Sequence, residues 1–270
     1  MLKFMLCFDI DGTILDAQNQ IHPHDLALLR QPPEDVLFVP TTGRSYGSLR
    51  GIFNQFSLFD QQKIPLPLIL HNGALVLTAG EQPLFQAVFP PEVQEPLLEQ
   101  MHQFTNLSFF FNSLDQTRLL HTTPKGNEAM RRYDYKITPG DFPYPFGYFN
   151  KIMTVSDDLQ LLAEFEASIS SLPLSHAYSM PTIFEVIPFG ISKATGIQKL
   201  KEALSVKNRF VIAAGDGGND VAMLDCADLS AAPSNAPEEV RNLVDLVIDR
   251  QPDGLLAPLL AYARQAVTAD

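Results

Sequence analysis

Tryptophan is absent from the 270 residues, cysteine occurs only twice, and Lys and Arg together number 19 against 31 Asp and Glu. No apolar run reaches the length needed to cross a bilayer. Each shortage removes a class of protein. Cys7 and Cys226 show neither CxxC nor metal spacing, so a disulfide scaffold or a zinc site is excluded. Both lie in apolar segments and are expected as buried, reduced thiols of a cytoplasmic protein. The net charge of −12 repels nucleic-acid phosphates and anionic lipids, which removes both as expected partners. It still admits a small phosphorylated ligand wherever a bound cation reverses the local field. The opening MLKFMLCFDIDG carries one basic residue and a short apolar stretch. Asp9 and Asp11 interrupt it before a secretory core is complete, so it reads as the first strand of the mature fold.

Apolar side chains are plentiful at 46%, with 19% charged, enough for one large or two moderate domains. Leu2–Phe8, Val36–Pro40, Leu66–Leu70 and Arg209–Ala214 are continuous apolar runs of strand length, the pattern of strands buried on both faces. Helices are expected over His24–Arg30, Ser45–Phe56, Lys193–Leu204, Val221–Cys226, Glu238–Leu243 and Leu255–Ala263, with further strands at Leu229–Ala231 and Leu246–Ile248. Strand, glycine-bearing turn and helix alternate as in a doubly wound α/β domain. From Thr78 to about Ile187 the texture changes. Strands are expected at Leu84–Phe89, Leu107–Asn112, Arg118–Thr122, Ile152–Val155 and Thr182–Ile187, and helices at Glu92–Phe104 and Asp157–Ser171. Pro139–Phe149 is too rich in Pro and Gly for either ladder and reads as a loop. The simplest organisation is an α/β, Rossmann-like core with a mostly parallel sheet, built from residues 1–81 and 188–270, around an independent α/β insert, 82–187.

In open α/β sheets ligands bind at the carboxyl ends of strands. Four polar clusters are expected there or at a helix start: Asp9–Asp11, Thr41–Arg44, Lys193 and Asp216–Asp220. Alternate strand residues share a face, so Asp9 and Asp11 can enter one space with Ile10 turned away, and Gly12 permits the turn that follows. Asp216 and Asp220 bring more carboxylate to the same edge. Such crowding calls for a hard divalent cation with oxygen ligands, and Mg²⁺ suits it. A single DxD is by itself a solvated turn; DxDGT after one strand with GDGGND after another is not. The Thr42 hydroxyl, the Gly43 amide and the Lys193 ammonium then supply what a phosphoryl group needs. Taken singly, Lys193 reads as a solvated lysine and Thr42 as a helix N-cap.

Together DIDGT, the TTGR threonine, the lysine of GISKATGIQKL and GDGGND resemble the four motifs of the haloacid dehalogenase superfamily. Their order, the large insert, HNGA, and the tail VIDRQPDGLLAPLL resemble its Cof-type subfamily of sugar-phosphate phosphatases, with the insert as a cap that selects substrate. Ile10 and Ile14 stand where that family often has leucine. The resemblance implies Asp9 as the nucleophile that forms an aspartyl-phosphate, and Asp11 as general acid and then base. It implies Mg²⁺ held by Asp9, the Asp11 carbonyl oxygen and Asp216, with Asp220 a direct or an outer ligand. Thr42, Gly43, Lys193 and Asn219 are implied at the phosphoryl group, and Asn72 and Arg44 at the substrate. The implied ligand is a small phosphorylated metabolite, taken by a monomer or homodimer.

Two other activities share these residues. A phosphomutase would return the phosphoryl group to another hydroxyl, and a receiver-type phosphoacceptor would hold it. The second has no use for Asp11 and no insert of this size. Several residues have simpler readings. A helix-start ion pair suits Arg44 as well as a substrate anion does, His71 reads as a structural histidine, and LSFFFN (Leu107–Asn112) reads as sheet core. Arg131 and Arg132 read as solvated.

Overall fold

The computed structural model describes residues 3–59, 63–132, 137, 145–204 and 209–269. The first section contains β1 (Phe4–Phe8), α1 (Pro23–Arg30), β2 (Val36–Pro40), α2 (Tyr46–Gln55), β3 (Leu68–Leu70), β4 (Leu75–Leu77) and β5 (Pro83–Gln86). The middle contains α3 (Pro91–Gln103), β6 (Ser108–Asn112), β7 (Thr117–Leu120), α4 (Pro124–Arg132), β8 (Lys151–Val155), α5 (Leu159–Ile169), β9 (Leu174–Met180) and β10 (Ile183–Pro188). The last section contains α6 (Lys193–Ala203), β11 (Phe210–Ala214), α7 (Val221–Asp225), β12 (Leu229–Pro233), α8 (Glu238–Arg241), β13 (Leu246–Ile248) and α9 (Leu256–Ala269).

The core sheet is five-stranded and parallel, in the order β13-β12-β11-β1-β2. Strand β1, FMLCF, lies between β11 and β2 and is buried throughout. Phe4, Leu6 and Phe8 join the apolar cluster on one face with α1, α2 and α9, while Met5 and Cys7 join the cluster on the other with α6 and α7. This is the two-sided burial that a continuous apolar run implies. Beyond β2, Thr41 bridges Ile69 in parallel fashion, which sets the hairpin β3-β4-β5 beside the sheet.

The insert is an antiparallel sheet in the order β7-β6-β8-β10-β9. Phe109 and Phe111 turn to one face, packed with α3 and α5, while Phe110 turns to the other, with Ala129 of α4, Met153 and Ile183. The run LSFFFN is therefore sheet core on both sides.

Several expectations are corrected. The strand expected at Leu84–Phe89 ends at Gln86 and pairs with β4, so residues 83–86, assigned to the insert from sequence, are hydrogen-bonded to the core hairpin. Strand β4, which follows HNGA, is a further strand that the sequence reading does not include. Helix α4 and strand β9 were not anticipated either: PKGNEAMRR is polar, and LSHAYSM lacks an apolar run. Arg131 and Arg132 are exposed on the last turn of α4, as expected. Cys7 is buried, but Cys226 is exposed, because it caps the carboxyl end of α7 instead of facing the core. Leu2 and residues 139–144 of the expected loop lie outside the described residues. Among the described residues no helix is long and apolar enough to cross a membrane.

Asp25, buried in α1, accepts from the Leu255 amide and from the Leu256 amide at 2.8 Å. These are free donors at the start of α9. Gly254 has φ +79°, and a Cβ there would lie 2.6 Å from Asp25 Oδ1. Asp25→Ala should therefore cost about 2 kcal/mol of stability in urea unfolding. A loss within about 0.5 kcal/mol, the size of an ordinary surface substitution, would show that water replaces the cap.

Candidate active site

Three loops leave the carboxyl edge of the core sheet side by side. Asp9 N donates to Ala214 O and Thr41 N to Phe8 O, so the ladders continue one residue beyond β1 and β2 and fix where the loops begin. Asp9 follows β1, Thr42 to Arg44 follow β2, and Asp216 to Asp220 follow β11. Lys193 opens α6, whose N-cap Ser192 accepts from Thr195 N.

The centre is a buried ion cluster. Lys193 Nζ lies 2.6 Å from Asp9 Oδ1 and 2.5 Å from Asp220 Oδ1, and no part of Lys193 or Asp220 is exposed. Asp220 Oδ2 accepts from the Asp216 and Gly217 amides at 3.0 and 2.9 Å. Both oxygens of Asp220 are thus committed to holding Lys193 and its own loop. Asp216 Oδ1 accepts from Thr13 Oγ1 at 2.6 Å. Gly12 makes this approach possible: its φ is +78°, and a Cβ there would lie 2.1 Å from Asp216 Oδ2. Arg250 Nη2 donates to Gly12 O at 2.5 Å and pins the turn from behind.

Burial and the neighbouring carboxylates push the Asp9 pKa well above the carboxylate range, against the pull of Lys193. Burial, with Asp220 beside it, pushes Asp216 up to about 6, although Thr13 opposes the shift. Burial also works against the charge on Lys193, but Asp220 and Asp9 override it and raise its pKa. Oxygens of Asp9, Asp216 and Asp220 lie within 4.8 Å of one another. Two hard-oxygen donors strained toward protonation, beside a third already saturated, fit a divalent cation on Asp9 and Asp216.

Asp11 stands apart from this cluster. Arg44 Nε and Nη2 each lie 2.6 Å from its two oxygens, and Arg44 Nη1 donates to Ser48 Oγ. Arg44 thus forms a bidentate ion pair that occupies both oxygens of Asp11. Thr42 Oγ1 accepts from Arg44 N, while the N-cap of α2 is Ser45. Asn72 and Asn219 meet at 3.1 Å, and Asn72 Nδ2 donates to Glu185 at 2.6 Å. His71 is fully buried; burial first and Lys151 second push its pKa down to about 3, so it is a neutral structural residue, as its sequence position suggested.

These groups open into a cavity of about 570 Å³ between core and insert. Asp9, Asp11, Thr42, Gly43, Arg44, Asp216 and Asn219 form the floor, and Met153, Met180 and Ile183 form an apolar opposite wall. Lys193 and Asn72 instead border a smaller chamber of about 170 Å³ behind it. Residues missed from sequence are Thr13, Arg250, Lys151 and Glu185. The last two carried a readable signal, a lone Lys and a lone Glu in otherwise apolar strand runs, NKIMTV and IFEVIP.

The family profile described as haloacid dehalogenase-like hydrolase matches residues 6–257. The chain belongs to that family. A curated relative, the HMP-PP phosphatase of Yersinia pseudotuberculosis, is 26% identical over 246 residues, 88% of this chain and 86% of the relative. The 5-amino-6-(5-phospho-D-ribitylamino)uracil phosphatase YitU of Bacillus subtilis is 21% identical over 268 residues, 96% of this chain and 97% of the relative. Among solved structures, a haloacid dehalogenase-like hydrolase from Bacteroides thetaiotaomicron superposes with TM-score 0.78 at 22% identity, covering 98% of this chain and all of that one. The subclass IIB sugar phosphatase BT4131 gives 0.77 at 19%, covering 97% and 99%. The core with its inserted cap is thus the fold of this family, and this chain is a hydrolase of the same phosphatase-containing group.

Asp216 carries a pH prediction. Its folded pKa, about 6, exceeds the ordinary 3.8. The stabilisation of its protonated form is full below pH 3.8 and is lost as pH rises through 6. Metal-free Asp216→Asn should therefore match wild type near pH 4 and exceed it by on the order of 2 kcal/mol at pH 8. Chemical unfolding at both pH values measures this, and a constant difference would refute the assigned strain.

Proposed function

We propose that the protein is a Mg²⁺-dependent phosphatase that hydrolyses small phosphomonoesters through an aspartyl-phosphate on Asp9. The observation that carries this reading is the Lys193 bridge between Asp9 and Asp220, which fixes one carboxylate at the floor of the cavity beside Asp216.

Asp9 and Asp216, with the main-chain carbonyl of Asp11, would hold Mg²⁺, and Asp220 acts behind them. Bound there, Mg²⁺ supplies the positive charge that keeps Asp9 ionised and draws charge from the phosphoryl oxygens. An Asp9 oxygen attacks phosphorus, the ester P–O bond breaks, and Asp11 gives its proton to the departing oxygen. Asp11 next takes a proton from water, whose oxygen attacks phosphorus and releases Asp9 and inorganic phosphate. Thr42, the Gly43 amide and Asn219 hold phosphoryl oxygens, while Lys193 acts through its charge and by fixing Asp9. Arg44 moves from Asp11 to the incoming ester. The apolar wall of Met153, Met180 and Ile183 limits the organic part to a small metabolite, and the names of the relatives point the same way.

Phosphate release from a panel of small phosphomonoesters tests the reading. Turnover should need Mg²⁺, stop on chelation, and vanish in Asp9→Asn, whose amide is no nucleophile. Asp11→Asn should lower kcat by about 10²–10⁴-fold, the usual contribution of a positioned acid and base. Wild-type turnover by Asp9→Asn, or transfer of the phosphoryl group to a second hydroxyl without free phosphate, would overturn it.

A further inference from the structure

The cap carries a buried ion pair that is bonded to the core. Lys151 on β8 and Glu185 on β10 face the cavity from neighbouring positions of the cap sheet, and both are almost fully buried. Lys151 Nζ donates to Glu185 Oε1 and, at 2.5 Å, to the carbonyl oxygen of Gly43. Glu185 Oε2 accepts from Asn72 Nδ2, and Asn72 Oδ1 accepts from Asn219 Nδ2. One cap pair therefore ties together three core loops, those after β2, β3 and β11. The fit at Gly43 is close: a Cβ there would lie 2.9 Å from Asn72 Oδ1 and 3.1 Å from Glu185 Oε2.

We propose that Lys151 and Glu185 are a clasp that assembles the phosphate-binding loops when the cap seats on the core. Both are positioning residues, acting through Gly43, Asn72 and Asn219. The inference rests on the reading of these loops as the phosphoryl site. A buried pair of this kind is weak evidence for stability, because an apolar pair of similar volume often does as well. What an apolar pair cannot do is give the Gly43 carbonyl a donor and the Asn72 amide an acceptor. Without those partners the Gly43 peptide is free to rotate and the Asn72–Asn219 contact loses its fixed direction. Binding energy from a seated cap is thereby converted into a formed phosphate site, as induced fit requires.

The test uses inorganic phosphate as the probe, titrated calorimetrically into the full chain at saturating Mg²⁺. Lys151→Met and Glu185→Met should each weaken phosphate binding at least tenfold and lower kcat, while Mg²⁺ affinity without phosphate shifts less than threefold. The double variant Lys151→Met/Glu185→Met should recover thermal stability but not phosphate affinity. Phosphate affinity within twofold of wild type in either single variant, or recovered in the double variant along with stability, would overturn the clasp. A wild type that binds no phosphate would overturn it as well. A wild type that binds phosphate but hydrolyses no ester leaves the clasp standing and removes the hydrolase reading.

Discussion

The site depends on one ammonium group. Lys193 reaches Asp9 and Asp220 from the first turn of α6 and is wholly enclosed. Burying three carboxylates together is costly, and an ion pair recovers that cost only when its geometry is good and the remaining lone pairs are satisfied. Asp220 meets both conditions. Asp220 spends one oxygen on Lys193 and the other on two loop amides, so the charge that holds the lysine also shapes the loop presenting Asp216. Stability and chemistry therefore draw on the same contacts.

The polar system extends across the domain boundary. Gly43, Asn72 and Asn219 lie on separate core loops and connect through cap residues Lys151 and Glu185. Satisfied networks of this kind rigidify and specify one arrangement, whereas a half-satisfied network is worse than an apolar contact. The apolar cluster under α4 meets the cavity through Met153 and Ile183, so the wall opposite the carboxylates is the edge of a packed core rather than a row of loose side chains.

Local composition made part of this legible. A five-residue apolar strand running into DIDGT announces both an interior strand and the carboxylates, because apolar burial and a glycine turn are short-range signals. Lys193 was legible only beside the other motifs, since a lysine at a helix start is common. Pairings were much less legible. That β5 belongs to the core hairpin depends on register with β4, which no local pattern states. Strand β9 is held by its pairing with β10, despite a mixed sequence. Lys151 and Glu185 are 34 positions apart, and only the β8–β10 ladder makes them neighbours. Arg44 was ambiguous in principle, because the same guanidinium suits a helix-start pair and a substrate anion. Asp220 has the same composition signal as Asp216, and only its side-chain contacts to Lys193 and to the Asp216 and Gly217 amides distinguish the two.

Placing β5 with the core has a mechanical consequence. The chain crosses from core to cap through residues 87–90 and returns through 189–192, where Phe189 is 71% exposed. Ala87 N donates to Ala74 O of the core, while Phe89 is fully buried in the cap's apolar cluster, so the outgoing strap is anchored to both bodies within three residues. Tethers this short leave the cap little slack, and Lys151, Met153 and Glu185 belong to the one sheet they hold, so they keep a common distance from the carboxylates beneath.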